Sequence, residues 1–272
     1  YRFYTRALTE RAHQRLTLES QLRQAINNEE FILHYQPLVD TLSGRPLGVE
    51  ALVRWNSPQG MISPAEFIPL AEDTGLIVPI GTWVLREACR QAQALRSQGF
   101  ALETLAVNLS PRQFRQVDLL QQVRAALHDS GLPAACLELE ITEGALMDDV
   151  AQTQATLSAL KSLGLRLAVD DFGTGYSSLA YLQRFPLDKL KIDQSFMRGV
   201  PKDQGNLEIV ATIIALARTL NLTVIAEGVE THEQHQALAQ LACEQCQGYL
   251  FSRPLSSEQL HDWLRGERKA VG

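Results

Sequence analysis

FILHYQPLVDTLSGRPLGVEALVRW, residues 31–55, holds two strand-length apolar runs, 31–36 and 47–55, joined by the short polar turn DTLSGR with no helix between them. Strands joined this way form a hairpin, so one strand of the sheet must run antiparallel to its neighbour. Downstream the pattern changes. Strand-like runs at 104–109, 136–142, 165–170, 188–193, 222–226 and 246–251 alternate with helical periodicity at 64–73, 80–98, 115–129, 148–163, 176–183, 206–220, 232–241 and 256–264. Crossover helices of that length return the chain to a parallel strand. Gly99, Gly131 and Gly164 fall just past helix ends. Upstream, Leu18, Leu22, Ala25, Ile26 and Glu29 keep helical spacing, which predicts a helix over 7–29. The expected fold is α/β: a modified TIM-like (β/α)8 barrel with one antiparallel strand. An open doubly wound sheet would place a ligand at one crevice, whereas polar residues here end nearly every strand.

Period-2 alternation sorts each strand into two faces. In GVEALVRW, Val49, Ala51, Val53 and Trp55 oppose Glu50, Leu52 and Arg54. Asn108 lies on the less apolar face of its strand, as do Glu138 and Glu140, Asp170, Lys189 and Lys191, and Glu227 on theirs. The continuous apolar face must lie under the helices, so the polar face points into the barrel near its C-terminal rim. A purely structural barrel would carry Val, Ile or Leu there. An internal ion-pair network is the plain alternative, but Lys191 and Arg54 are two cations against Glu50, Glu140, Asp170, Asp171 and Glu227. Crowded carboxylates raise one another's pKa unless a cation intervenes. Oxygen ligands from Glu, Asp and an Asn carbonyl suit Mg2+ or Mn2+, and an acidic pair such as Asp170–Asp171 can bridge two ions. Both carboxylates reach the site if the strand ends at Asp170 and turns into the loop.

That loop, Phe172 to Ser178, has the sequence FGTGYSS. Its glycines permit a tight turn, and Ser177 and Ser178 are candidate helix caps. Directly after two acids it reads as a gate or brace for ligands rather than as a nucleotide cradle. Other polar groups are weaker signals. Asp193 is placed as a partner under Lys191 or in a structural ion pair, and Glu138 as a brace one pleat below Glu140. His34, His232 and His235 show no evident role.

The 272 residues are enough for a large core, and 45% apolar with 21% charged residues is ordinary for a globular chain. A formal charge of -6 offers no basic face for a DNA or RNA polymer. Cys89, Cys136, Cys243 and Cys246 are too few for a disulfide scaffold, and the CxxC at 243–246 lacks further zinc ligands at suitable spacing. No signal peptide and no run of 18 apolar residues is present, so a cytoplasmic location is expected, either alone or within a larger membrane-anchored bacterial protein.

Taken in order, GVEALVRW, the Asn108 strand, ELEITEG, DDFGTGYSSL, KLKIDQSF, VIAEGVET and QGYLFSRPL resemble the EAL domain of bacterial cyclic di-GMP phosphodiesterases, whose name is the tripeptide Glu50–Ala51–Leu52. The resemblance covers about residues 20–264. Residues 1–19 resemble the tail of a preceding GGDEF-like cyclase domain with its linker helix, and 265–272 form a C-terminal tail. The family implies hydrolysis of one 3′–5′ phosphodiester bond of cyclic di-GMP to linear pGpG with two Mg2+ or Mn2+ ions. By motif match, Glu50, Asn108, Glu140 and Asp170 hold the first ion, and Asp170, Asp171 and Glu227 the second. Lys191 orients the attacking water, and Glu227 is the alternative base. Gln36, Leu52, Arg54, Phe251 and Pro254 are matched to substrate contacts, as are Glu230 and Gln247 near the second ion. Glu143 matches the brace of the DFGTG loop, which the family couples to homodimerisation. No position departs from the family pattern, which disfavours the other expected type, a cyclic di-GMP receptor or regulatory module with little turnover.

Overall fold

Residues 31–55 form the expected hairpin, and it closes the sheet. The computed structural model describes residues 2–175 and 179–266, with side chains from residue 15 onward. The chain begins with α1 (Arg2–Asn27), then β1 (Phe31–Asp40), β2 (Pro46–Ser57) and a short β3 (Gly60–Ile62). Next come α2 (Pro64–Thr74), α3 (Ile77–Ser97), β4 (Thr104–Leu109), α4 (Pro111–Phe114) and α5 (Leu119–Ser130). After a single 3-10 turn follow β5 (Leu137–Thr142), α6 (Glu143–Met147), α7 (Val150–Lys161) and β6 (Arg166–Phe172). The last third holds α8 (Leu179–Leu182), β7 (Lys189–Ile192), α9 (Gln194–Met197), α10 (Gln204–Thr219), β8 (Thr223–Ala226), α11 (His232–Gln240), β9 (Gln245–Cys246) and α12 (Ser257–Leu264).

The strand order β1-β9-β8-β7-β6-β5-β4-β2-β3, with β1 also paired to β2, closes eight strands into a barrel and leaves β3 outside on β2. β1 runs antiparallel to both its neighbours, β2 and β9. The other barrel pairings are parallel.

The two-face reading of the strands holds. Leu38, Ala106 and Ile225 come from β1, β4 and β8, which are not neighbours, yet they form one buried cluster. Such contact is possible only across the barrel interior. The outward faces join the helices in the main core, where Trp55, Phe67, Leu105, Leu137, Leu139 and Ile141 are almost fully buried. Leu22 and Ala25 bury α1 in that same core.

Several expected boundaries shift. The helix expected over 80–98 starts earlier, at Ile77, and the one expected over 115–129 starts later, at Leu119, with the short α4 before it. The strand expected over 246–251 is only Gln245–Cys246. It stops because the chain then folds against the loop after β8. A Cβ on Gly248 would sit 2.1 Å from the Val229 carbonyl oxygen, so only glycine permits that approach. The proposed caps Ser177 and Ser178 lie outside the described residues.

Candidate active site

The barrel strands and the residues just beyond them bring polar side chains to one mouth. At the centre is Lys191 of β7, about 1% exposed. Its Nζ lies 2.7 Å from Glu140 of β5, 3.1 Å from Asp170 of β6, 2.6 Å from Glu227 just beyond β8 and 3.7 Å from Glu50 of β2. Glu50 is held from two further sides. Asn108 Nδ2 donates to its Oε1 (2.6 Å), and Gln247 Nε2 donates to its Oε2 (2.7 Å). Gln247 Nε2 also reaches Gln36 Oε1 at 2.9 Å, and Gln36 Nε2 donates to the Ser252 carbonyl.

Asp170 and Asp171 both reach the site, but not because the strand ends at Asp170. β6 continues to Phe172, and its pairing with β7 slips between Val169 and Phe172. Asp171 adopts φ 52°, the left-handed region that Asp tolerates better than most residues. This bulge cancels the alternation that would send two adjacent carboxylates to opposite faces. One oxygen each of Asp170, Asp171 and Glu227 then lie within 4.8 Å of one another.

The electrostatics follow from crowding. Burial alone would pull the Lys191 ammonium down, but Asp170, Glu140, Glu227 and Glu50 together hold it well above the ordinary lysine value. Burial pushes Glu140 well above the usual carboxylate range; Lys191 opposes this, and Glu50, Asp170 and Glu227 add to it. Burial raises Glu227 to about 8, against the pull of Lys191. Asp171 rises to about 6 through burial, then Asp170 and Asp193. One ammonium does not balance five carboxylates. Glu140 Oε1 is also buried with no hydrogen-bond partner. An orphaned oxygen and an excess of hard anionic donors fit a hard divalent cation. Asp170, Asp171 and Glu227, the group expected to hold one ion, converge. Of the group expected to hold the other, Glu50, Glu140 and Asp170 lie against the Lys191 ammonium, and Asn108 donates to Glu50.

Two cavities open from this centre. One, about 300 Å³, is lined by Gln36, Leu52, Arg54, Glu230, Gln247 and Pro254, all expected substrate contacts. Arg54 donates to the Val53 carbonyl, and burial lowers its pKa. The other, about 330 Å³, lies against α2, α3 and α4 and is bounded by Asn108 and Asp171. Both share Leu52, Arg54 and Asp170.

Phe251 departs from expectation. It does not line either cavity and instead packs edge-on against His235, ring centroids 5.4 Å apart. Its neighbour Tyr249 takes the position at the first cavity, half exposed, with the Arg253 guanidinium 4.4 Å from its ring centroid. Sequence reasoning missed Tyr249, because the period-2 assignment assumed strand geometry where the chain turns. Asp193 is likewise not under Lys191. It caps α9 through the Ser195 N–H and faces Asp171. Glu138 pairs with Lys189 (2.8 Å), one pleat below the site. Glu143 is buried and accepts a 2.8 Å hydrogen bond from the Gly173 N–H at the start of the loop after β6. The four cysteines are buried free thiols, with Cys89 and Cys243 pushed to about 12 and Cys246 to about 11, chiefly by burial. His235 is tied to the Thr41 carbonyl.

The EAL domain family model matches residues 19–254. Over 98% of its length the chain is 48% identical to the cyclic di-GMP phosphodiesterase NbdA of Pseudomonas aeruginosa, covering 34% of that protein. It is 46% identical to the bifunctional diguanylate cyclase/cyclic di-GMP phosphodiesterase MucR of the same organism, covering 38% of it. The chain thus spans little more than a third of these relatives' lengths. A solved PaMucR phosphodiesterase structure, a c-di-GMP complex, superposes with a TM-score of 0.87 at 48% identity, covering 90% of this chain and 99% of that one. With the barrel, its single antiparallel strand and the acids at its mouth in place, this chain belongs to the EAL domain family.

Proposed function

We propose that this domain hydrolyses one 3′–5′ phosphodiester bond of cyclic di-GMP to give linear pGpG, using two Mg2+ or Mn2+ ions. The observation that carries it is the convergence of Glu50, Glu140, Asp170 and Glu227 on Lys191, with Asp171 beside Asp170 and Glu227, under two cavities that meet at Asp170. Family membership and the cyclic di-GMP names of its relatives supply the substrate.

In this reading Glu50, Asn108, Glu140 and Asp170 hold one ion, and Asp170, Asp171 and Glu227 the other. When bound, such ions lower the pKa of a coordinated water and offset charge growing on the phosphoryl oxygens. The protein's own groups do the rest. Lys191 donates to the water and fixes its line of attack. Glu227 takes the water's proton as the new P–O bond forms, and the 3′ oxygen leaves as the P–O3′ bond breaks and is then protonated. Arg54 presents its fork of donors to a phosphate oxygen. Gln36, Leu52, Glu230, Gln247 and Pro254 hold the nucleotide, and Glu143 keeps the loop after β6 in place for Asp171.

Among the described residues no helix is long and apolar enough to cross a membrane, which suits a cytoplasmic domain of a longer bacterial signalling protein. An adjoining GGDEF domain and a homodimer belong to the same proposal. The exposed Leu179 and Ile209 support the dimer on the side of the loop after β6.

The test is chromatographic product analysis of cyclic di-GMP incubated with the protein and Mg2+ or Mn2+. The expected result is pGpG as main product, abolished by EDTA. Tight binding in Ca2+ with no product in either ion would leave a receptor and overturn the enzyme.

A further inference from the structure

The strand β1 brings no acid to the cluster, yet it meets the cluster at Gln36. Antiparallel pairing with β2 sets Gln36 directly opposite Glu50. On its other edge β1 pairs with β9, and the chain runs from β9 straight into Gln247. Gln36 therefore stands between Glu50 and the residue that holds Glu50.

The hydrogen bonds run in one direction. The Ser252 carbonyl accepts from Gln36 Nε2 at 3.2 Å, which turns Gln36 Oε1 toward Gln247. Gln36 Oε1 accepts from Gln247 Nε2 at 2.9 Å, and the same nitrogen donates to Glu50 Oε2 at 2.7 Å. Reversing either amide would set oxygen against oxygen, so each orientation is fixed by the partner before it. Both hydrogens of the Gln247 amide are then spoken for, and its Oε1 is buried without a hydrogen-bond partner among the described residues. Glu50 Oε1 is meanwhile taken by Asn108 Nδ2 at 2.6 Å. Gln36, Glu50 and Gln247 are at most 8% exposed, so water competes poorly for these bonds.

We propose that Gln36 is a positioning residue of the metal site, acting through Gln247 to aim the Glu50 carboxylate at its ion. A carboxylate held by a donor on each oxygen keeps one orientation, and its remaining lone pairs meet a cation already ordered. This role is separate from any contact that Gln36 makes with the nucleotide in the first cavity. It also gives the one antiparallel strand of the barrel a task at the site: β1 supplies the cross-strand partner that locks Glu50.

The inference rests on the two-metal reading. Metal-free protein is titrated with Mn2+ in the absence of nucleotide, and unbound Mn2+ is read by electron paramagnetic resonance. Gln36→Met keeps the length of the side chain and removes both of its hydrogen bonds. It should raise the Mn2+ concentration for half-saturation about tenfold, at the lower end of what partners behind a metal ligand contribute. Gln247→Met should weaken binding at least as much. The double variant should be no weaker than Gln247→Met alone, because Gln36 then has nothing to act through. Additive losses would mean that the two residues work independently and would overturn the proposal. Unchanged Mn2+ binding in Gln36→Met, with only the KM for cyclic di-GMP raised, would reduce Gln36 to a nucleotide contact and overturn it as well. The number of ions bound per chain reports folded protein, so misfolding does not pass for lost affinity, and Gln36→Leu repeats the measurement with a second side chain. Failure of the wild type to bind Mn2+ would instead overturn the metal-dependent reading itself.

Discussion

Lys191 is the cation that four of the site's acids share. Its ammonium is within 3.1 Å of Glu140, Asp170 and Glu227, in a space nearly closed to water. Lys191→Met should lower turnover by about 100-fold or more, because water loses its donor. It should also cost about 3–5 kcal/mol of metal-free stability in urea denaturation, since the buried carboxylates lose the ammonium they share. Near-normal turnover would remove Lys191 from the mechanism. The same crowding sets a pH dependence. Glu227 and Asp171 are raised to about 8 and about 6, above their unfolded values, so the native state binds these protons more tightly than the unfolded chain. Their contribution to stability is complete below pH ~4 and is lost as pH rises through 6 and then 8. In EDTA, the urea midpoint should therefore fall between pH 5 and 9, and Glu227→Gln should flatten the upper part of that fall. Mg2+ or Mn2+ should restore the wild type at high pH. A midpoint independent of pH would mean that the cluster does not hold its protons. At this scale the sequence was most legible for Glu50, Glu140, Asp170 and Lys191, since a charge inside an apolar strand requires a partner.

The bulge in β6 shows where element-level reasoning succeeds and stops. Alternation placed Asp170 correctly. It could not place Asp171, because a register slip obeys no periodicity and depends on the pairing with β7. The segments missed outright, β3, α4, α6 and α9, are three to five residues long, too short for a period to register. Asp171 carries both a charge and a left-handed backbone, and two substitutions separate them. Asp171→Asn keeps a side chain that tolerates φ 52° and should abolish most turnover with little change in Tm. Asp171→Val should lose activity and, in addition, about 1–2 kcal/mol of stability from the strained conformation. If thermal melting shows equal stability for the two variants, the strain argument fails. If Asp171→Asn retains full turnover, the bulge serves the fold rather than the site.

Across the whole barrel, the interior is layered, and only the upper layer bears on chemistry. Glu138 and Lys189 lie two residues before Glu140 and Lys191 on the same strands, and they pair at 2.8 Å with side chains 0% and 5% exposed. Lys189 Nζ also reaches Gln245 Oε1 at 3.2 Å. The closed barrel itself was legible, because the hairpin supplied the one antiparallel strand and the β-α repeat supplied the rest. The meaning of each inward charge was not, since Glu138 and Glu140 sit in one motif with the same alternation. Ion pairing decides between them. Among the described residues Glu138 is matched by one cation, Lys189, whereas Glu140 shares its lysine with three other acids. The lower pair should therefore be replaceable as a unit. Glu138→Leu alone strands a buried ammonium and should cost about 3–5 kcal/mol, while Glu138→Leu with Lys189→Met should recover most of that loss. Turnover per folded molecule should stay within a few-fold of wild type in the double variant, because no group above it has changed partners. Urea denaturation and initial rates on the same preparations read both quantities. Recovery of stability without recovery of turnover would mean that the lower pair sets the height of Lys191, and the division into a structural and a chemical layer would not stand.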